Sequence, residues 1–248
     1  MRFDDWRSAL ASMLCVAGVL LMATQAHAAG GAYAVDDAEI DAPGSCNIDA
    51  WVAFASNNEF GAVVAPACVI RLGIPVELGG EVGRSRADGI WGTGGAVSAK
   101  INLIPVANHP FGLGLAAGNG WDLITGTHSG AFITLPATVA LSDEFRLNFN
   151  IGWQFNGTTR LNYLTWGAGF EWNFVKPLKL IGEVYGLAGN LPSVEPGDPP
   201  SPNSIREPRT QLGLRYTPHD NVDFDVIWGR NIGGENAHWI TTGVNLRF

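Results

Sequence analysis

The chain ends on Trp239-Ile240-Thr241-Thr242-Gly243-Val244-Asn245-Leu246-Arg247-Phe248, in which Ile240, Thr242, Val244, Leu246 and Phe248 alternate with small or polar residues. A period of two predicts a strand with one apolar and one wet face. In a soluble sandwich the apolar face would turn inward, whereas in a transmembrane barrel it turns out to lipid and the polar face lines the interior. The direction of that one face decides the fold.

Upstream segments repeat the pattern. Leu147, Phe149, Ile151, Trp153 and Phe155 alternate with Asn148, Asn150, Gly152 and Gln154. Leu164, Trp166, Ala168, Phe170, Trp172 and Phe174 do the same against Thr165, Gly167, Gly169, Glu171 and Asn173. Further strands are predicted over 47–55, 60–68, 75–84, 95–104, 111–118, 131–141, 178–188, 206–216 and 222–229. With the terminal strand they make about twelve, an even number, as a single-chain bacterial barrel with both ends on one side requires. Connections near 71–73, 106–110, 142–144, 175–177 and 217–221 are short. Those near 85–93, 119–130, 189–205 and 230–238 are longer, and 189–205 holds Pro192, Pro196, Pro199, Pro200 and Pro202. Only the turn around Asn57 is short among the second set. Short turns alternating with long loops suit an outer-membrane barrel with periplasmic turns and external loops. Phe111, Phe174, Tyr216, Phe224 and Phe248 would mark one interface, and Trp153, Phe155, Trp166 and Trp228 the other. The expected fold is therefore all-β, a transmembrane antiparallel up-and-down β-barrel over residues 46–248.

Export is expected as well. Arg2 and Arg7 precede an apolar run over 9–23, and Ala26-His27-Ala28 offers a cleavage site, so residues 1–28 read as a signal peptide. A retained membrane anchor is the competing reading. Past Ala28 no apolar run reaches the roughly 18 residues that a membrane helix needs. Residues 29–45 carry Asp36, Asp37, Glu39 and Asp41 and read as a solvated acidic leader. Cys46 and Cys68 remain after removal of Cys15. Folding the first hairpin about Asn57 sets Cys46 opposite Cys68, Ala50 opposite Val64 and Phe54 opposite Phe60, which predicts one disulfide in an exported protein. Charged residues are only 15% of the chain, Gly reaches 32 and Trp 9, and the net charge is -8. With no basic stripe, a nucleic-acid partner is excluded.

With the apolar parity outward, the other parity places Glu77, Glu81, Lys100, Arg146, Glu171, Glu183, Arg209, Arg215, Asp223, Asp225, Asn245 and Arg247 on the interior. Hairpin folding sets Arg215 opposite Asp223 and Glu77 near Lys100. These groups form either a structural network in a closed lumen or a polar conduit in which Arg209, Arg215 and Arg247 meet an anionic or polar solute. No catalytic set emerges. His128-Ser129 is the only close His/Ser pair, reads as loop, and would point to opposite faces on a strand. No metal site is expected, because His109, His219 and His238 lack partners at ligand spacing, and no phosphate loop or other cofactor motif is present.

A terminal strand of this kind ending on Phe248 resembles the assembly signal of bacterial outer-membrane barrels, which implies the barrel-assembly machinery and outer-membrane lipid as partners. Leu180-Ile181-Gly182-Glu183-Val184-Tyr185-Gly186, Gln211-Leu212-Gly213-Leu214-Arg215-Tyr216 and the last seven residues resemble a family of proteobacterial outer-membrane transporters, some associated with phenol meta-cleavage pathways. The resemblance implies a non-enzymatic, passive outer-membrane channel for small polar or aromatic solutes. A closed barrel that is structural or binds a partner, and a lipid-acting enzyme, are the alternatives.

Overall fold

The computed structural model describes residues 32–87, 89–157, 160–188, 205–233 and 236–248. The signal-peptide reading and most of the Pro-rich connection lie outside them. Twelve antiparallel strands close into a barrel. They are β1 Cys46–Ala55, β2 Phe60–Leu72, β3 Ile74–Ala87, β4 Ile90–Ile104, β5 Phe111–Asp122 and β6 His128–Ala140, followed by β7 Phe145–Asn156, β8 Leu161–Val175, β9 Leu178–Ala188, β10 Ile205–His219, β11 Val222–Asn231 and β12 His238–Arg247. Each strand pairs with its sequence neighbours, and β12 closes on β1, with Ala50 opposite Val244 and Phe54 opposite Ile240. Closure leaves no edge strand, the condition for a sheet to sit in lipid with every ladder donor and acceptor paired.

The alternation resolves outward. Ile240, Leu246 and Phe248 are exposed, as are Phe149 and Ile151 on β7 and Phe224, Val226 and Trp228 on β11, while Thr241, Asn245, Asn148, Asp223 and Asp225 are buried. Apolar side chains that face out and polar ones that face in are the inverse of a soluble barrel and fit a lipid solvent. Both ends of the barrel chain, Cys46 and Phe248, lie at one rim, here the terminal end. It carries the short turns between β2 and β3, β4 and β5, β6 and β7, β8 and β9, and β10 and β11.

Several boundaries move. The connections expected over 85–93 and 119–130 are largely strand, since β3 runs to Ala87, β4 starts at Ile90, β5 runs to Asp122 and β6 starts at His128. Gly and Ser in those stretches read as loop, but the ladder carries them as close-packed wall, because Ser85 pairs with Gly92 and Gly120 with Gly130. The β10–β11 register is also corrected. Arg215 pairs with Asp225 rather than Asp223, because β10 runs on to His219 and the turn falls at Asp220-Asn221, with one residue of register taken up between Tyr216 and His219. Pro218 lies in that interval and has no N–H to give the ladder, a standard reason for a bulge.

The first hairpin keeps its predicted register, Cys46 opposite Cys68, Ala50 opposite Val64 and Phe54 opposite Phe60. Cys46 and Cys68 are joined by a disulfide. Thiol labelling of the chain cut after Ala28 is therefore expected to be near zero without reductant and to reach two thiols per chain after unfolding and reduction. Two reactive thiols before reduction would remove the disulfide.

Candidate functional site: a segment inside the barrel

The largest departure from the sequence reading is the acidic leader. Residues 32–40 are for the most part not solvated, Ala34 being the exposed one. They run into the barrel, with Tyr33, Val35, Asp37, Ala38 and Glu39 buried. Glycine on the inner wall makes the space: a Cβ at Gly213 would stand 2.3 Å from the Tyr33 hydroxyl, and one at Gly167 2.8 Å from Val35 Cγ2. Tyr33 packs with Ile181 and Ile227, and burial of each such side chain contributes about 1.5–3 kcal/mol.

The segment's backbone bends at 32, 34, 35 and 38 and has no sheet neighbour, so its polar groups must be satisfied by wall side chains. Glu183 accepts the N–H of Ala34 at 3.0 Å and of Val35 at 3.1 Å, and also a bond from Gln211 Nε2 at 2.7 Å. Thr138 Oγ1 accepts the Ala38 N–H at 2.9 Å and donates to Asn148 at 2.8 Å. With its amide oriented to satisfy both partners, Asn150 donates to the Asp36 carbonyl at 2.7 Å and accepts the Asp36 N–H at 2.9 Å.

Charge carries the rest. Lys100 Nζ lies 2.9 Å from Asp36 and 3.5 Å from Asp37. Arg146 reaches Asp37 at 3.1 Å, Glu39 at 2.8 Å and Glu171 at 2.8 Å. Glu171 also receives Lys179 at 2.7 Å and Asn148 Nδ2 at 2.8 Å. The expectation for Lys100 is corrected in part: Glu77 is its cross-strand neighbour, but its ion pairs go to the inserted segment.

A second group lies toward the terminal end. Arg215 bonds both oxygens of Asp225, at 2.9 and 3.0 Å, and stands 3.6 Å from Asp223. Tyr33 donates to Asp225 at 3.2 Å, under the Arg215 guanidinium. Arg247 closes the set on Asp223, and Asn245 donates to Asp49. Arg215 and Arg247 are thus held by carboxylates. Arg209 stands further along β10 beside Tyr185, so the three arginines do not form the single cluster expected of them. Glu77 is half-buried and Glu81 is exposed.

Sequence reasoning missed Tyr33, Asp36, Asp37 and Glu39, and also Asp49 and Thr138. The available signal was the row of glycines on the inward parity, at 112, 114, 167, 169 and 213, since a wall without side chains leaves volume that something must fill. His128 is the first residue of β6 rather than loop. Its ring stacks on Phe155 at 6.0 Å and its Nε2 lies 3.3 Å from Asn119 Oδ1, while Ser129 lies over Gly120. The two do not cooperate as nucleophile and base. Among the described residues no group of His, Cys, Asp and Glu could hold a metal ion.

Arg146 is the group on which the docked segment most depends. Arg146→Met leaves Asp37 and Glu39 without their strongest partner in a dry site, at a cost of about 3–5 kcal/mol. A cysteine reporter at Ala38, as Ala38→Cys, is expected to react with a small maleimide about a hundredfold faster in the Arg146→Met background. Equal rates would show that these ion pairs do not hold the segment.

By fold the barrel is similar to solved outer-membrane channels. The KdgM porin superposes with a TM-score of 0.59 at 14% identity over 82% of this chain and 99% of that one, and it has also been solved in complex with disordered oligogalacturonate. The NanC porin gives 0.61 at 7% identity over 80% and 98%. The COG4313 outer membrane channel from Pseudomonas putida F1 gives 0.59 at 12% identity over 86% and 98%. At these identities the likeness is one of fold. No curated protein matches the sequence. Residues 17–248 match one family along nearly their whole length, and the chain belongs to that family, described as Uncharacterised conserved protein UCP029691.

Proposed function

We propose that this protein is an outer-membrane channel that passes small polar solutes passively, with residues 32–40 as its internal constriction. One observation carries the reading. The interior is wide enough to hold a stretch of polypeptide between its walls, and what fills it is a tethered segment rather than interlocked strand side chains. An extended chain occupies about 5 Å by 10 Å in cross-section, so moving the segment aside frees a passage of small-solute size.

The chemistry of the docked contacts favours an anionic or polar solute over an apolar one. Lys100 and Arg146 hold carboxylates and Thr138, Asn150 and Glu183 hold backbone amides, so a hydroxylated acid offers the same groups as the segment it replaces. The acidic oligosaccharide in the KdgM complex is consistent with such chemistry in a barrel of this fold. The outward face and the terminal Phe248 support insertion in the outer membrane through the barrel-assembly machinery. The competing reading is a closed barrel, in which the same ion pairs stiffen the wall permanently.

Planar-bilayer recording separates the two. Full-length protein is expected to give small single-channel steps, and a chain lacking residues 32–40 to give several-fold larger ones, with anion selectivity from the released Lys100 and Arg146. Absence of steps from both proteins, after heat-modifiable gel migration has shown that both are folded, sinks the channel reading.

A further inference from the structure

The outer wall carries one feature that conduction does not use. Next to the loop end, the outward positions of β4, β3, β2, β1, β12 and β11 form a register row of Trp91, Arg86, Phe60, Phe54, Ile240 and Trp228. The row below it is Thr93, Arg84, Ala62, Val52, Thr242 and Val226, and the one below that runs from Val82 through Val64, Ala50 and Val244 to Phe224. Bulky aromatics therefore overhang two rows made largely of alanine, valine and threonine. The result is a groove of about 670 Å³ along the lipid-facing wall, ending at Arg84 and Thr93.

Arginine on a lipid-facing wall is costly unless its charge is met. Arg84 and Arg86 lie on either side of Trp91, 5.2 and 5.5 Å from its ring centroid. Arg84 donates to Thr93 Oγ1 at 2.7 Å, and Arg86 donates twice to the Asn58 carbonyl, at 3.0 and 2.8 Å. Among the described residues no carboxylate pairs with either guanidinium. Each has five N–H donors, so these bonds orient both groups without exhausting them. A second notch, of about 520 Å³, opens beside Arg86 between Trp91 and the 57–58 turn.

We propose that this surface is a binding site for a phosphate-bearing lipid of the outer leaflet, its phosphate held by Arg84 and Arg86 and an acyl chain lying in the groove over Ala50, Ala62 and Val64. Two observations converge on that class of ligand. Forked guanidiniums at interface depth suit phosphate oxygens, and the strip of small side chains directly beneath them has the width and apolarity of a hydrocarbon chain. A soluble anion would use the first and leave the second empty. The proposal rests on the outer-membrane reading given above, since the loop end must face the leaflet that supplies the lipid.

The test is native mass spectrometry of the full chain in dodecyl maltoside, titrated with bisphosphorylated lipid A and with its dephosphorylated form. One lipid A per chain is expected to bind, with about tenfold weaker binding for each of Arg84→Ala and Arg86→Ala. Ala62→Trp, which fills the groove and keeps both arginines, is expected to weaken binding to a similar degree. Arg71→Ala, at the other end of β2, should change nothing. Equal binding of the dephosphorylated lipid, or wild-type binding by the double arginine variant, overturns the proposal. So does full displacement by millimolar inorganic phosphate, which would make the site one for free anions. So would a lipid-independent dimer abolished by Ala62→Trp, which would make the groove a contact between two copies. Both failures can be told apart: absent conductance with lipid A still bound removes the channel alone, and absent lipid binding with conductance intact removes only this site.

Discussion

The ion pairs of Lys100 and Arg146 with Asp36, Asp37 and Glu39 are the constraint on which the interior depends. A barrel of twelve strands encloses more volume than its own side chains fill, unlike an eight-stranded one. The inner wall here widens that space further with glycine at 112, 114, 167, 169 and 213. Without residues 32–40 the two cations would face a hydrated cavity with fewer counter-charges. With them, two cations and three carboxylates from three separate stretches of chain are brought together. Their desolvation is offset only because Arg146 meets three carboxylates and Lys100 two.

This arrangement divides the wall into two solvents. Outside, Ile, Leu, Val, Phe and Trp alternate into lipid, where association has little hydrophobic driving force and the strand ladder supplies cohesion. Inside, cohesion comes from hydrogen-bonded charge, in two groups linked by Tyr33, which packs on Ile181 and Ile227 and donates to Asp225. Arg215 is the counterpart of Arg146 near the terminal end, but the carboxylates shown to hold it, Asp223 and Asp225, come from β11 and not from the inserted segment. The part of the interior whose charges depend on the inserted segment is therefore the part around Arg146.

The sequence made the barrel legible because period two is a local property, and in lipid the whole chain must obey it. The strand number, the closure of β12 on β1 and the register of the first hairpin all follow from parity and turn position. What parity cannot carry is a contact between a strand and a stretch with no period. Residues 32–40 read as acidic and aperiodic, which in most proteins means solvated, and the strand cations and anions already balance by count. The missing deficit is local, at Lys100 and Arg146, and appears only when the strands are set side by side. The slip of Arg215 from Asp223 to Asp225 has another origin: symmetric folding about 219 ends β10 at Tyr216, whereas the strand runs on to His219 and turns at Asp220-Asn221.

The tether sets how firmly the segment stays docked. After Asp41 the chain turns through Ala42 and Pro43, with Gly44 and Ser45 bonded to Val69, and enters β1 at Cys46, where the disulfide fixes it to β2. Only a few residues separate the last buried carboxylate, Glu39, from that anchor. A group held on so short a leash has an effective concentration of about millimolar or above, so intrinsically weak contacts suffice to keep it docked. On the proposed channel reading, a solute that offers the same carboxylates would meet the same two cations and would have to match that effective concentration to displace the segment. Such a competition suits a passive conduit for an abundant polar solute.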